Sequence, residues 1–149
     1  MFKTSMLLLV VSYGSLQAAD GVIQNSAEIA AVLSKATANG GMKAAPVSIA
    51  DQHRINVINR ESPGTPLTHP GNSELHYIIE GAGTVVIGGE ISRPSGAAKG
   101  GPGAVIEGGQ TRRVTKGDVI FVPAGMPHWY KEVEGGITYL EVRFEEGKK

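Results

Sequence analysis

His53, His69, His76 and His128 are the four imidazoles of the 149-residue chain, and there is no cysteine. Thiol nucleophiles and disulfides are therefore excluded, and a metal would have to be taken by His, Asp or Glu. His128 ends the stretch Gly117-Asp118-Val119-Ile120-Phe121-Val122-Pro123-Ala124-Gly125-Met126-Pro127-His128. Val119 to Val122 is a β-branched and aromatic run of the kind that forms a buried strand. Pro123 and Gly125 mark a tight turn. Pro127 fixes the backbone just before His128, so the imidazole opens a return strand at a set place, beside Trp129 and Tyr130. Glu74 to Glu80 reads as a second strand. Alternation puts Glu74 and His76 on one face and Leu75, Tyr77 and Ile79 on the other. His69 precedes Glu74 by five residues across a Pro70-Gly71 turn, a corner that can bring its ring to the carboxylate. Imidazole and carboxylate together suit Fe, Mn, Ni, Cu or Zn. His53 has no such neighbour and reads as a surface residue.

The elements that must position these residues are strands. With 21 Gly and 8 Pro the chain is turn-rich, and its length suits one domain with a sizeable core. Asn25 begins a short helix over residues 25–37, with Glu28 completing a capping box and Ile29, Val32, Leu33 and Ala36 forming the apolar stripe. Asn39-Gly40-Gly41 ends it. From there the pattern is β. Short strands are expected over 46–50, 54–59, 74–80, 84–87, 111–115, 119–122 and 137–144, with turns at Gly81-Ala82-Gly83 and Gly135-Gly136. Residues 88–110 form a long Gly-rich loop, with short strands at 90–93 and 104–107 and a possible use as a lid over a pocket mouth. Eight to ten short strands at close spacing argue for a sandwich or barrel, and a jelly roll is the common closed form at this length.

Basic and acidic residues balance at 14 each, which removes the basic excess of a nucleic-acid surface. Met1-Phe2-Lys3, the apolar run Met6 to Val11 and the small residues Ala18 and Ala19 make residues 1–19 read as a secretory signal, too short to span a membrane. A secreted or periplasmic location is expected, with residues 20–149 as the mature domain. Arg60 and Glu61 read as a structural ion pair, Arg112 and Arg113 as solvated, and Trp129 and Tyr130 as rim packing with one of them lining the pocket.

Residues 60–144 resemble the cupin superfamily. Gly117, five residues, Pro123, one residue, Gly125, two residues and His128 match its second motif throughout. In the first motif His69 matches the second His, Glu74 the Glu and Gly81 the closing Gly, while Leu67 stands where the motif has its first His. The resemblance implies an all-β, cupin-type jelly-roll barrel with a short N-terminal helix, a divalent transition metal held by His69, Glu74 and His128, and a homodimer. His76 could supply the missing nitrogen or act as a base. The implied function is an enzyme of isomerase, lyase or dioxygenase type acting on an oxygenated small molecule, with the metal as Lewis acid and His76 or Tyr130 moving a proton. The other reading is a cupin that binds a sugar or organic acid without catalysis.

Overall fold

A computed structural model describes residues 21–50, 52–96 and 101–146. The signal expected over residues 1–19 lies outside the described residues. Helix α1 spans Ser26–Ser34. Asn25 Oδ1 accepts from the Ala27 and Glu28 amides, and Glu28 Oε2 accepts from the Asn25 amide, completing the capping box. The helix stops three residues short of the expected end, at a C-cap on Lys35, and buries no side chain. It packs on the outside of the first strand. No described helix is long and apolar enough to cross a membrane.

Eight strands follow: β1 Met42–Ile49, β2 His53–Arg60, β3 Asn72–Ile87, β4 Glu90–Ser92, β5 Val105–Glu107, β6 Gln110–Thr115, β7 Val119–Val122 and β8 His128–Glu145. The class is all-β with one short helix, as expected. Six strands form one antiparallel sheet in the order β1-β2-β8-β3-β6, with β7 also on β3. The two long strands, β3 and β8, organise it. They pair from Asn72↔Glu145 to Ile87↔His128, so the residue that opens β8 lies across from the end of β3. The first half of β3 takes β7 on its other edge and the second half takes β6.

Two expected turns are not turns. Gly81-Ala82-Gly83 lies within β3 and Gly135-Gly136 within β8, where the register slips between Gly81 and Gly83. This bulge lets both strands bend without ending. Gly81 has φ +82°, and a Cβ there would overlap the Gly136 carbonyl oxygen. Gly81→Ala is expected to lose about 1–3 kcal/mol from the backbone conformation alone. Urea unfolding checks this; an unchanged midpoint would show that the bend does not need Gly81.

The core is the inward face of the sheet: Ile58, Ile78, Val85, Val114, Ile120, Val122, Tyr130, Ile137 and Tyr139. Tyr130 and Tyr139 stack, with centroids 4.8 Å apart and planes 13° from parallel. Burial raises the Tyr130 phenol well above its ordinary 10 and pushes Tyr139 up to about 12. Both therefore stay neutral in the fold at a pH where they would ionise in the unfolded chain. Stability is complete below about pH 10 and falls as pH rises toward about 12. Denaturant melts across that range check the slope, and phenolate absorbance appearing only as the protein unfolds is the companion result.

The two short strands expected within residues 88–110 are present as β4 and β5. β4 and β5 pair with each other in a separate two-stranded sheet.

Candidate metal centre

His69, Glu74 and His128 converge. Glu74 sits on the inward face of β3 and is 1% exposed. His69 Nε2 lies 3.3 Å from its Oε1 and His128 Nε2 lies 3.4 Å from its Oε2. One ligand atom from each of the three falls within 4.8 Å of the others. The backbone fixes this meeting. The segment carrying Leu67 runs beside the start of β8: the Leu67 amide donates to the His128 carbonyl and the His128 amide to the Leu67 carbonyl, at 3.1 and 3.0 Å. The Gly125 amide donates to the His69 carbonyl, tying the Pro123–Gly125 turn to the His69 corner. Buried Ser73, next to Glu74, holds the same turn by accepting from the Ala124 amide at 3.0 Å.

Hydrogen bonding sets the protons. His128 Nδ1 donates to the Met126 carbonyl at 3.1 Å, which leaves its Nε2 as a bare lone pair aimed at Glu74. His69 Nε2 accepts from an Arg143 Nη at 3.0 Å and so is also a lone pair. Glu74 Oε1 is buried without a hydrogen-bond donor. The His128 lone pair meets Glu74 without a proton between them, while the Arg143 guanidinium caps the His69 lone pair and lies 3.3 Å from Glu74 Oε1, so the metal-free cluster already holds one cation. The donor types of His69, Glu74 and His128 fit a divalent transition metal, and these three residues could hold one.

Electrostatics keep the groups in ligand form. Burial lowers the pKa of both His69 and His128 below 6.5, so both stay neutral. Burial alone would raise Glu74. The hydrogen bond from His76 and the positive field of Arg143 outweigh it, holding the carboxyl below 4.5.

His76 is buried on the same face but outside that trio. Its Nε2 lies 3.1 Å from Glu74 Oε2, and its Nδ1 3.0 Å from the Tyr130 hydroxyl. The Glu74 carboxylate can only accept, so a neutral His76 carries its proton on Nε2, donates it to Glu74 and accepts at Nδ1 from the Tyr130 hydroxyl. His76 groups instead with Glu74 and Glu141 as a second set of potential ligands, 4.0 Å from the Glu141 carboxylate. His53 is exposed, away from the cluster.

Three residues of the site escaped the sequence. Glu141 and Arg143 lie on the inward face of β8, opposite His76 and Glu74. Arg143 donates to Glu141 Oε2 at 3.0 Å, and its Nε is 3.3 Å from Glu74 Oε1. Asn56 donates to Glu141 Oε1 at 3.0 Å. Arg60 makes no ion pair with Glu61, contrary to expectation. Its Nε donates to the Tyr139 hydroxyl at 2.9 Å and its Cζ lies 5.3 Å from the Tyr130 ring centroid. The alternating β2 pattern turns Arg60 inward with Asn56. Arg113 is not merely solvated; it pairs with Glu134 through two 2.7 Å bonds on the surface.

A small cavity of about 30 Å³ sits at the cluster, bounded by Leu67, His69, His76, His128, Trp129 and Tyr130 among others. That is room for an ion or one or two waters. Trp129 and Tyr130 both line it, and Trp129 Nε1 donates to the Gly64 carbonyl at 2.7 Å. Described residues of the 88–110 segment line neither this cavity nor the larger one beside it.

A family model described as Cupin matches residues 52–137. No curated protein matches the chain. Among solved structures the chain is similar to KdgF from Halomonas sp. (TM-score 0.56, 17% identity, 74% of this chain and 84% of that one). It is similar to the Schizosaccharomyces pombe Cnp3 cupin domain (0.57, 14%, 76% and 67%). It is also similar to a mutant of Bacillus subtilis oxalate decarboxylase OxdC (0.55, 19%, 79% of this chain and 30% of that one). At these identities the likeness establishes the fold.

Proposed function

The chain belongs to the cupin family, and from that premise we propose that it is a metal-dependent enzyme acting on an oxygenated small molecule, of isomerase, lyase or dioxygenase type. The observation that carries the reading is the convergence of the His69 and His128 lone pairs on the orphaned Oε1 and its partner oxygen of Glu74. These three residues would hold a divalent metal, which when bound would supply Lewis-acid polarisation of a substrate oxygen. The chain's own residues do the rest. His128 is oriented by Met126, and Glu74 is kept ionised by His76 and Arg143. His76 acts as a positioning residue and proton carrier, since Tyr130 O–H, His76 and Glu74 form one hydrogen-bonded line at the edge of the inner cavity. Tyr130, held neutral, is a donor rather than a base. Leu67 lines the cavity with an apolar side chain where the motif has its first His, so the residues that would hold the metal number three. The OxdC likeness agrees with an enzyme. The reading includes export, carried by the pattern of residues 1–19, and a homodimer, carried by family resemblance.

A second reading, a cupin that binds a small ligand without catalysis, is favoured by one observation: an Arg143 Nη already occupies the His69 lone pair. Metal quantification separates the two. Protein purified from media supplemented in turn with Fe, Mn, Ni, Cu and Zn is expected to carry close to one metal per chain in at least one of them. An anomalous-scattering peak is expected between His69, Glu74 and His128. Metal-free protein from every medium would overturn the first reading in favour of the second.

A further inference from the structure

Beside the cluster lies a space that the metal reading leaves unused. A chamber of about 390 Å³ opens between β1, β2 and the His69 segment, sharing Arg60, Leu67 and His69 with the inner cavity. One wall is apolar, formed by Met42, Ala44 and Pro46. The opposite side carries three guanidinium groups, Arg54, Arg60 and Arg143, against a single carboxylate, Glu141.

The three arginines are not equivalent. Arg143 is committed to Glu141, Glu74 and His69. Neither Arg60 nor Arg54 makes an ion pair with any described carboxylate. Arg60 is half-buried, yet only its Nε finds a side-chain partner, the Tyr139 hydroxyl. Its plane is backed by the Tyr130 ring. A guanidinium held by one phenol and stacked on another has lost much of its rotational freedom before any ligand arrives, and it keeps N–H donors to spare. Such pre-organisation is what makes a fork bind an oxyanion well. Arg54 lies on the same face of β2, exposed at the rim, where an unpaired positive charge draws anions toward the mouth.

We propose that this chamber binds a small organic oxyanion, with Arg60 clasping its carboxylate or phosphate group beside the His69–Glu74–His128 cluster and Arg54 attracting it at the entrance. This deepens the proposed function by naming the substrate class, and it rests on that reading only in placing the anion at the same site. The apolar wall would take the hydrocarbon part of the molecule.

The test is calorimetric titration of the full chain with malonate, inorganic phosphate and uncharged glycerol, on chelator-stripped and metal-reloaded protein. Malonate or phosphate is expected to bind and glycerol not to; the stronger anion identifies a carboxylate or a phosphate ligand. Arg60→Gln is expected to weaken anion binding about tenfold or more, and Arg60→Lys less, since it keeps the charge but loses the fork. Arg54→Gln, on the exposed rim, is expected to slow association and flatten its salt dependence. Unchanged anion affinity in folded Arg60→Gln overturns the proposal, as does wild-type protein that binds neither anion below about 10 mM. Anion binding by stripped protein that never takes up metal would support this inference while overturning the metal reading. A metal-loaded protein that ignores both anions would do the reverse.

Discussion

His128→Ala is expected to abolish stoichiometric metal. Loss of a partner that merely supports a ligand costs 10–100-fold in metal affinity by general experience, so loss of a ligand itself should exceed about 100-fold. The reason lies in how little slack the site has. The set that contains His128 has only three members, His69, Glu74 and His128, and Leu67 contributes no ligand atom. His76 can step in only by giving up its Nε2–H bond to Glu74 and reversing its bond with the Tyr130 hydroxyl. The fold should survive. His128 contributes its backbone to the bridge with Leu67, and that bridge does not depend on its ring. The measurements are metal per chain by mass spectrometry and a circular dichroism spectrum on the same sample. Full metal occupancy in a folded His128→Ala protein would remove the trio as the holder and point to the alternative set of Glu74, His76 and Glu141.

How much of this was legible in the sequence follows from what sequence patterns encode. Alternation on a strand is local, so Glu74 and His76 fall on one face with Leu75, Tyr77 and Ile79 on the other. The turn chemistry of Pro123, Gly125 and Pro127 is local too, and the strand that it ends and the strand that it begins were both found. The capping box at Asn25 and Glu28 is a four-residue signal and was read directly. Cross-strand register is not local. Glu141 and Arg143 alternate with Leu140 and Val142, which by itself reads as a solvated polar face. Only the pairings His76↔Glu141 and Glu74↔Arg143 turn that face toward the site. Arg60 was assigned to its sequence neighbour Glu61 for the same reason, although its partners are Tyr130 and Tyr139, some seventy residues on. Glycine pairs carry a different ambiguity. Gly81 and Gly83 have the backbone freedom of a turn, but the same freedom permits a bulge that bends a continuing strand, and the chain took that course.

Arg143→Ala is expected to destabilise the metal-free protein by about 2–3 kcal/mol at neutral pH, and added metal is expected to recover more of that in the variant than it adds to the wild type. Arg143 touches two carboxylates that are almost fully buried, Glu74 at 1% and Glu141 at 4% exposed. Removing one partner of a buried ion pair leaves an uncompensated charge, a loss of about 3–5 kcal/mol when both partners are fully enclosed. The Arg143 side chain is 30% exposed, so the effect should fall somewhat below that range. Asn56 still donates to Glu141 and His76 to Glu74, which keeps each carboxylate from being wholly orphaned. The metal arm follows from the same contacts. In the metal-free protein the guanidinium is the cation of this site: it sits against Glu74 Oε1 and caps the His69 lone pair. A divalent ion arriving at His69, Glu74 and His128 must compete with it for both groups, and like charges about 5 Å apart repel by roughly 3 kcal/mol per unit pair at an effective dielectric near 20. With the guanidinium gone, metal binding is tighter, and binding that favours the native state stabilises it in proportion to the logarithm of occupancy. Urea denaturation of wild type and Arg143→Ala, each with chelator and with Zn²⁺ or Mn²⁺, reads both arms in one experiment. Equal stabilisation of the two proteins by metal would mean that Arg143 and the metal do not share Glu74. A variant as stable as wild type with chelator would mean that Glu74 and Glu141 are neutralised by something other than the guanidinium.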